Sequence, residues 1–575
     1  MKKHLLLSAL GLLFLLPAFS QNIAINADGS RPDRNAILDI QSGTKGLLIP
    51  RMGSSARMAI PNTRGLLVFD TTTNSFWYNT GAEWQNLLCA AVGSAGDLPW
   101  LLTGNVNATA ASFLGTTRNV PLNIRVNNKP SGKIDSSKEN TYWGYFTGAF
   151  DSVGTDNVGI GAFALQNTVG GGFNTATGAQ SMISNTSGAQ NVATGYQALY
   201  NNTTGGGNVA VGNQAMYGNT GGLDNVAIGP GAMYAGSNAA ASVAIGFNAL
   251  YNSNGFSNTA IGYFSMMNNT TGQDNVATGQ FSLLSNTTGI FNTALGYESM
   301  GSNTTGQYNT AVGYLTLRDN NGTGNTAMGL VSLSDNGTGN ENTAFGAVSL
   351  ILNTTGNDNT GLGDSALASN TTGSNNTALG FMADVASGNL SNATAIGNMA
   401  IVDASNKVRI GNSAVTVIEG QVPFTTPSDG RYKFNVEENV KGLDFILKLR
   451  PVTYQFDVQR FDAQLARRSG QNSYAVPAAY AEATRMRRSG FIAQEVEKAA
   501  AASGYDFSGI VRPVTEQDHY SLSYEAFVVP LVKAVQEQQQ IILEQDKKIA
   551  DLVEENKKIA DLQKQIDEIK QLLRP

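Results

Sequence analysis

The chain has 575 residues, enough for several domains. Only 14% of them are charged and 64 are glycine, which sets the chain apart from a generic globular enzyme, while a 41% hydrophobic content sets it apart from a charged disordered tail. A net charge of −6 over this length points to no nucleic-acid partner, which would call for a basic patch.

Residues 1–20 read as a signal peptide. Lys2 and Lys3 give a positive start, residues 5–16 are an apolar run broken only by Ser8 and Gly11, and Ala18 and Ser20 are the small residues before a cut after position 20. The competing reading, a membrane anchor, needs about twenty apolar residues, and the run is shorter. No later stretch is apolar enough to span a membrane as a helix. Export carries a second consequence. Cys89 is the single cysteine, so stability cannot rest on an internal disulfide and must come from packing or assembly. Cys89 reads as a small buried thiol, with pairing between chains as the alternative. Once the leader is removed the one histidine is His519, in Asp518-His519-Tyr520, which reads as a surface residue rather than a catalytic partner. No cofactor and no metal site is expected.

Residues 21–95 read as a small β-rich module. Short apolar runs at 36–40, 46–52 and 65–71 are split by Gly, Pro and Asn and followed by Phe76, Trp77, Tyr78 and Trp84. The phrases AILDIQSGTKGLLIPRM and GLLVFDTTTNSFWYNTGAEW resemble the N-terminal segment of exported bacterial tail-fibre-like proteins. Residues 96–150 carry a weaker β or linker pattern.

Residues 151–415 are a repeat array. A five-residue phrase of the type N-T/V-A-I-G opens at Asn157 and recurs, mostly every 17 residues, to a diverged sixteenth copy at Lys407. Glycine closes every copy, from Gly161 to Gly411. Three and four places beyond that glycine stands a small-plus-apolar pair, such as Ala198-Leu199, and then a turn such as Asn202-Thr203-Thr204-Gly205. A period this short fits one coil of a parallel β-solenoid with two short strands and two turns, and is too short for helical-pair repeats. Stacked coils would put Asn on Asn and apolar residues in columns, building a rod on the order of 70 Å at about 4.8 Å per coil. Adjacent Ala and Ile, Val or Leu point to opposite strand faces, so both faces are apolar. One face fills the thin coil and the other calls for a neighbouring chain. The phrase resembles the SVAIG head repeats of trimeric autotransporter adhesins, which implies a trimeric roll; the repeat here is longer than theirs. The Asn-x-Ser/Thr triplets, as at Asn202, read as turn chemistry and ladders, with glycosylation as the alternative.

Charge and helical periodicity return near residue 416. The phrases SDGRYK (428–433), LRPV (449–452), GFIAQEV (490–496) and YSLSYEA (520–526) come in this order. They resemble the S74 peptidase family, the intramolecular chaperone domains of phage endosialidases and tail spikes. The resemblance implies, for residues 416–530, a small α/β domain that drives trimerisation of the fibre before it and then cuts itself off. It makes Ser428 the nucleophile, Lys433 the base and the bond between Pro427 and Ser428 the one cut. On the residues alone, a serine hydroxyl needs a neighbouring base, and a lysine can act as one if burial favours its neutral form. Five residues apart, the two would point about 140° apart on a helix and to opposite faces of a strand. A turn at Gly430, or an approach from another subunit, has to bring them together.

Residues 531–575 read as a helix forming a short coiled coil. Ile542, Ile549, Leu552, Ile559, Leu562, Ile566, Ile569 and Leu573 mostly follow three-and-four spacing, with a slip near Asn556 where KKIADL repeats ten residues on. The expected molecule is a mainly β, exported, homotrimeric surface fibre or adhesin with a self-cleaving chaperone, its ligand a host surface or glycan of unknown identity. The alternatives are a glycan-degrading tail-spike-like enzyme, which needs paired carboxylates that the repeats do not supply, and an ice- or surface-binding solenoid.

Overall fold

The computed structural model describes residues 22–87, 113–469, 477–515 and 518–574. The expected signal peptide of residues 1–20, and Cys89, lie outside the described residues. The chain divides into two units, one ending at Gly115 and one running from Thr116.

In the first unit the expected apolar runs become short strands. Ile23–Ile25 pairs in parallel with Leu38–Ile40. Arg51–Met52, Leu67–Asp70, Ser75–Asn79 and Trp84–Asn86 form a four-stranded sheet. Beside it, the buried Arg57 Nε donates to Asp70 Oδ2 at 2.8 Å, and its guanidinium lies 3.7 Å from the Trp77 ring centre. Burial alone would raise the Asp70 pKa; the bonds from Arg57, Ser54, Thr72 and Thr73 outweigh it and hold the carboxyl well below its usual range.

The second unit is dominated by the solenoid. Its sheet starts ahead of the first phrase. Leu122–Val126, Lys129–Asp135 and Asn140–Trp143 are antiparallel neighbours, and Asn140–Trp143 then pairs in parallel with Val158–Ile160. From there each phrase pairs in register with the next: Ala210 with Ala227, Ala227 with Ala244, and onward to Val408–Ile410. The phrase alanines point inward and are buried. The closing glycines hold the left-handed half of backbone space while the next coil presses on them. At Gly296 φ is +131°, and a Cβ would stand 2.2 Å from the carbonyl oxygen of Gly313, so no other residue fits.

Each coil has one strand, not the two expected. The small-plus-apolar pair lies instead in a run of turns, where alternate residues take positive φ: Gln197 at 56° and Leu199 at 52°, Gln214 at 55° and Met216 at 53°. Left-handed backbone at Leu or Met costs on the order of 1 kcal/mol per residue. It is held here because the run bonds to both neighbouring coils: Leu199 N donates to Ala215 O and Gln197 N to Ala179 O. The geometry turns the Leu/Met column inward, so that Leu199, Met216, Met233 and Leu250 are buried beside the alanines in one continuous core. A second strand forms only near the end, where Asp384–Val385 pairs with Ile401–Val402.

Two asparagine ladders run through the rod. The phrase asparagines bond coil to coil: Asn208 N donates to Asn191 Oδ1 at 3.0 Å, and Asn208 Nδ2 to Gly222 O at 2.8 Å. The turn asparagines do likewise, Asn202 Nδ2 donating to Asn185 Oδ1 at 2.9 Å. Asn202 is fully buried, so at this triplet the ladder reading holds and glycosylation is excluded in the folded rod. Satisfied amides in most coils, with Ser242 and Ser253 bonding in their place in one, avoid the penalty of about 1–3 kcal/mol for an unpaired buried polar group.

The column breaks at Asp384, which by its spacing from Gly380 stands where earlier coils carry Leu or Met. It is fully buried and accepts from Ser369 N and Val385 N. Burial pushes its carboxyl up to about 7, against those bonds. The folded state therefore holds a proton that the unfolded state gives up between about pH 4 and 7. Stability linked to this group is complete below the ordinary carboxylate pKa and is lost as pH rises through 7. Asp384→Asn keeps an acceptor without the charge. We expect its melting temperature to exceed wild type by several degrees (roughly 3–8 °C) at pH 8 and to converge on wild type near pH 4. Thermal melts at the two pH values read this directly.

The remaining residues form the small C-terminal domain. Leu443–Ile446 and Ala493–Ala502 are helices, Val452–Gln455 pairs antiparallel with Arg487–Gly490, and Phe445, Val496, Phe507, Ile510 and Phe527 form the core. Three of the four family-like phrases thus build this domain, while SDGRYK lies in the exposed chain ahead of it. The last helix, Val528–Leu572, is 45 residues long. It is anchored by the buried Pro530 and Ala534 and by Glu537, which accepts from Leu443 N at 2.7 Å. Beyond that its apolar positions, including Ile549, Leu552, Ile559 and Ile566, are exposed. Among the described residues no helix is long and apolar enough to cross a membrane.

Candidate functional site

Residues 415–439 form an exposed connection after the last coil, and within it Gly430–Tyr432 makes a single 3-10 turn. Asp429 caps this turn by accepting from Arg431 N at 2.9 Å. The Arg431 guanidinium folds back onto the same carboxylate and, with the backbone bond, holds the Asp429 carboxyl below its usual range. The Lys433 backbone N–H donates to Gly430 O at 3.2 Å and closes the turn. The turn carries Lys433 round to Ser428, and Lys433 Nζ donates to Ser428 Oγ at 2.7 Å. Gly430 has no positive φ, and a Cβ there would meet nothing, so the turn depends on the Asp429 cap and not on glycine's freedom.

The separation is within reach of what a serine nucleophile and a lysine base need, although a base would accept the hydroxyl proton where Lys433 here donates. Pro427 precedes Ser428 directly in the chain. All three residues are exposed in the single chain. A lysine acts as a base in its neutral form, which burial favours, so the pair has the geometry of a dyad without the desolvation.

Residues 428–505 match the family model described as chaperone of endosialidase. The match starts at Ser428 itself. Residues 24–97 match a second family model, described as phage tail like trimerisation region. The solenoid between them lies outside both. No curated protein matches the chain.

His519 is half-buried at the end of the rod. Its Nδ1 lies 3.1 Å from Oδ2 of Asp403, a buried residue just after the last coil's second strand. Sequence reading placed His519 at the surface and gave no role to Asp403 or Arg409. The one signal available was the diverged last phrase, in which Arg409 replaces the inward alanine.

Proposed function

We propose that the protein is a homotrimeric, exported, tail-fibre-like surface fibre whose C-terminal domain assembles it and then cuts itself off before Ser428. The observation that carries the cut is the 2.7 Å contact from Lys433 Nζ to Ser428 Oγ, at the first residue of the segment that matches chaperone of endosialidase. In the reaction, Lys433 takes the hydroxyl proton as Ser428 Oγ attacks the carbonyl carbon of Pro427. The C–N bond breaks, the proton passes to the freed Ser428 amine, and an ester joins Pro427 to Ser428 Oγ. Water hydrolyses that ester, giving a carboxylate at Pro427 and restoring the hydroxyl. Assembly supplies the burial that the dyad lacks in a single chain.

Three surfaces favour a trimer. The N-terminal unit matches the trimerisation region. The outward strand positions place Ile228, Leu295, Met328 and Leu379 in an exposed apolar stripe along the rod, and the seam of Val528–Leu572 fits a coiled coil. Ice binding by turn threonines is less well supported, because the Thr203 hydroxyl already donates to Thr220 O, and Thr270 and Thr287 repeat the pattern. Light scattering on the uncut Ser428→Ala chain tests the assembly. We expect a mass of three chains of about 60 kDa each; a folded monomer at micromolar concentration would overturn the trimer.

A further inference from the structure

The two ends of the solenoid core are closed differently. At the N-terminal end Tyr142 fills the alanine column, its hydroxyl donating to Asp151 Oδ2 at 2.5 Å. The next coil carries Gly159 in place of alanine because a Cβ would stand 2.8 Å from that ring. At the C-terminal end Arg409 sits opposite Ala395 in the inward column, and its Nε donates to Gly411 O at 3.3 Å. A cation at the end of an apolar column has to be covered. The cover comes from beyond the repeat array.

Two side chains of the C-terminal domain supply it. The Phe461 ring lies 5.6 Å from the Arg409 guanidinium and 4.8 Å, edge to face, from the His519 ring. His519 in turn meets Asp403, whose other oxygen accepts from Lys407 Nζ at 2.8 Å. Asp462, next to Phe461, adds a negative charge acting on Arg409. Asp403, Lys407 and Arg409 precede residue 428, whereas Phe461, Asp462 and His519 follow it. The contacts therefore span the bond between Pro427 and Ser428 without using the exposed connection.

We infer that this cluster is a docking joint by which the C-terminal domain closes the end of the rod, and that it holds the 428–575 piece on the rod after the connecting chain is cut. The proposal rests on reading 428–575 as a separable chaperone piece, yet it does not depend on the chain cutting itself. The His519 contact with Asp403, the attraction between Asp462 and Arg409 and the aromatic contacts are individually modest, so the joint is releasable, and its charged part weakens with salt. It also gives the chaperone a starting point: the last coil is held in place first, and earlier coils can stack on it in register.

The joint is tested by a cut that Ser428 does not make. In the Ser428→Ala chain, a recognition site for a sequence-specific protease is placed within the exposed residues 419–427, the assembled protein is cut there, and retention of the C-terminal piece is followed by size exclusion. We expect the pieces to co-elute at roughly 0.05 M salt and to separate at roughly 1 M. His519→Ala leaves Asp403 paired with Lys407, and should weaken retention at low salt about tenfold to a hundredfold. Phe461→Ala, a second variant that leaves Asp403 and its partners in place, should weaken it about as much. Separation of the parent pieces at low salt would overturn the joint, as would retention in both variants equal to that of the parent. If wild-type protein never cuts itself but the protease-cut pieces behave as described, the joint stands and the self-cleavage reading falls.

Discussion

Ser428→Ala should leave the full-length chain intact while assembly proceeds unchanged. Removing the hydroxyl removes the nucleophile, so cleavage should fall to background and not merely slow. Lys433→Ala takes away the base and should reduce the rate by about a hundredfold to ten-thousandfold. Lys433→Arg should rescue nothing, since a guanidinium keeps its proton at any pH at which the protein is folded. Both residues are exposed and bond to each other across a short turn, so neither change should touch the core around Phe445 and Phe507. Denaturing electrophoresis of each variant beside wild type reads the cut. A Ser428→Ala chain cut at the same place would assign the cleavage to another protease.

A chain ending at residue 427 should fail to form the soluble trimer. The reason lies in the repeats. Thr293 pairs with Thr310, Ala294 with Ala311 and Leu295 with Val312, but a slip of one coil would pair Thr293 with Thr326 and Ala294 with Ala327, which is chemically almost the same. Long parallel stacks of such units form slowly, with little energy separating the right register from its neighbours. In the proposed assembly the C-terminal domain ends this degeneracy: the long helix would gather the chains, and the end of the rod, which carries Asp403 and Arg409, would be the one place that meets the domain. The truncated chain should appear as aggregate or monomer, whereas a fibre cut at 427 after assembly should keep its state. A truncated chain that elutes as the same trimer would remove the chaperone role and leave the solenoid as described.

The solenoid was legible because its period repeats. One phrase marked the strand, the closing glycine and the asparagine ladders, and its two apolar faces anticipated the exposed stripe; which face turned inward was settled only by the structure. The second strand was misread for a physical reason. Leu199 and Met216 disfavour positive φ by themselves, and only hydrogen bonds to the coils on either side hold them there. Single-residue propensity carries no trace of that. Between Ser428 and Lys433 the sequence called for a turn at Gly430 or an approach from another subunit; the structure has a turn, capped from Asp429 and not dependent on glycine's freedom. The Asp403–His519 contact was not legible, since it joins positions far apart in the chain with no shared spacing, and Asp384 was overlooked although it interrupts the Leu/Met column in plain view.

The account is tested most directly by the mass of purified wild-type protein, measured intact under native conditions and again after denaturation. It predicts an assembly of three chains that each end at Pro427, together with a separate piece beginning at Ser428. An uncut chain still running to residue 575 that persists for days after assembly would contradict the cleavage, and a monomer would contradict the fibre itself.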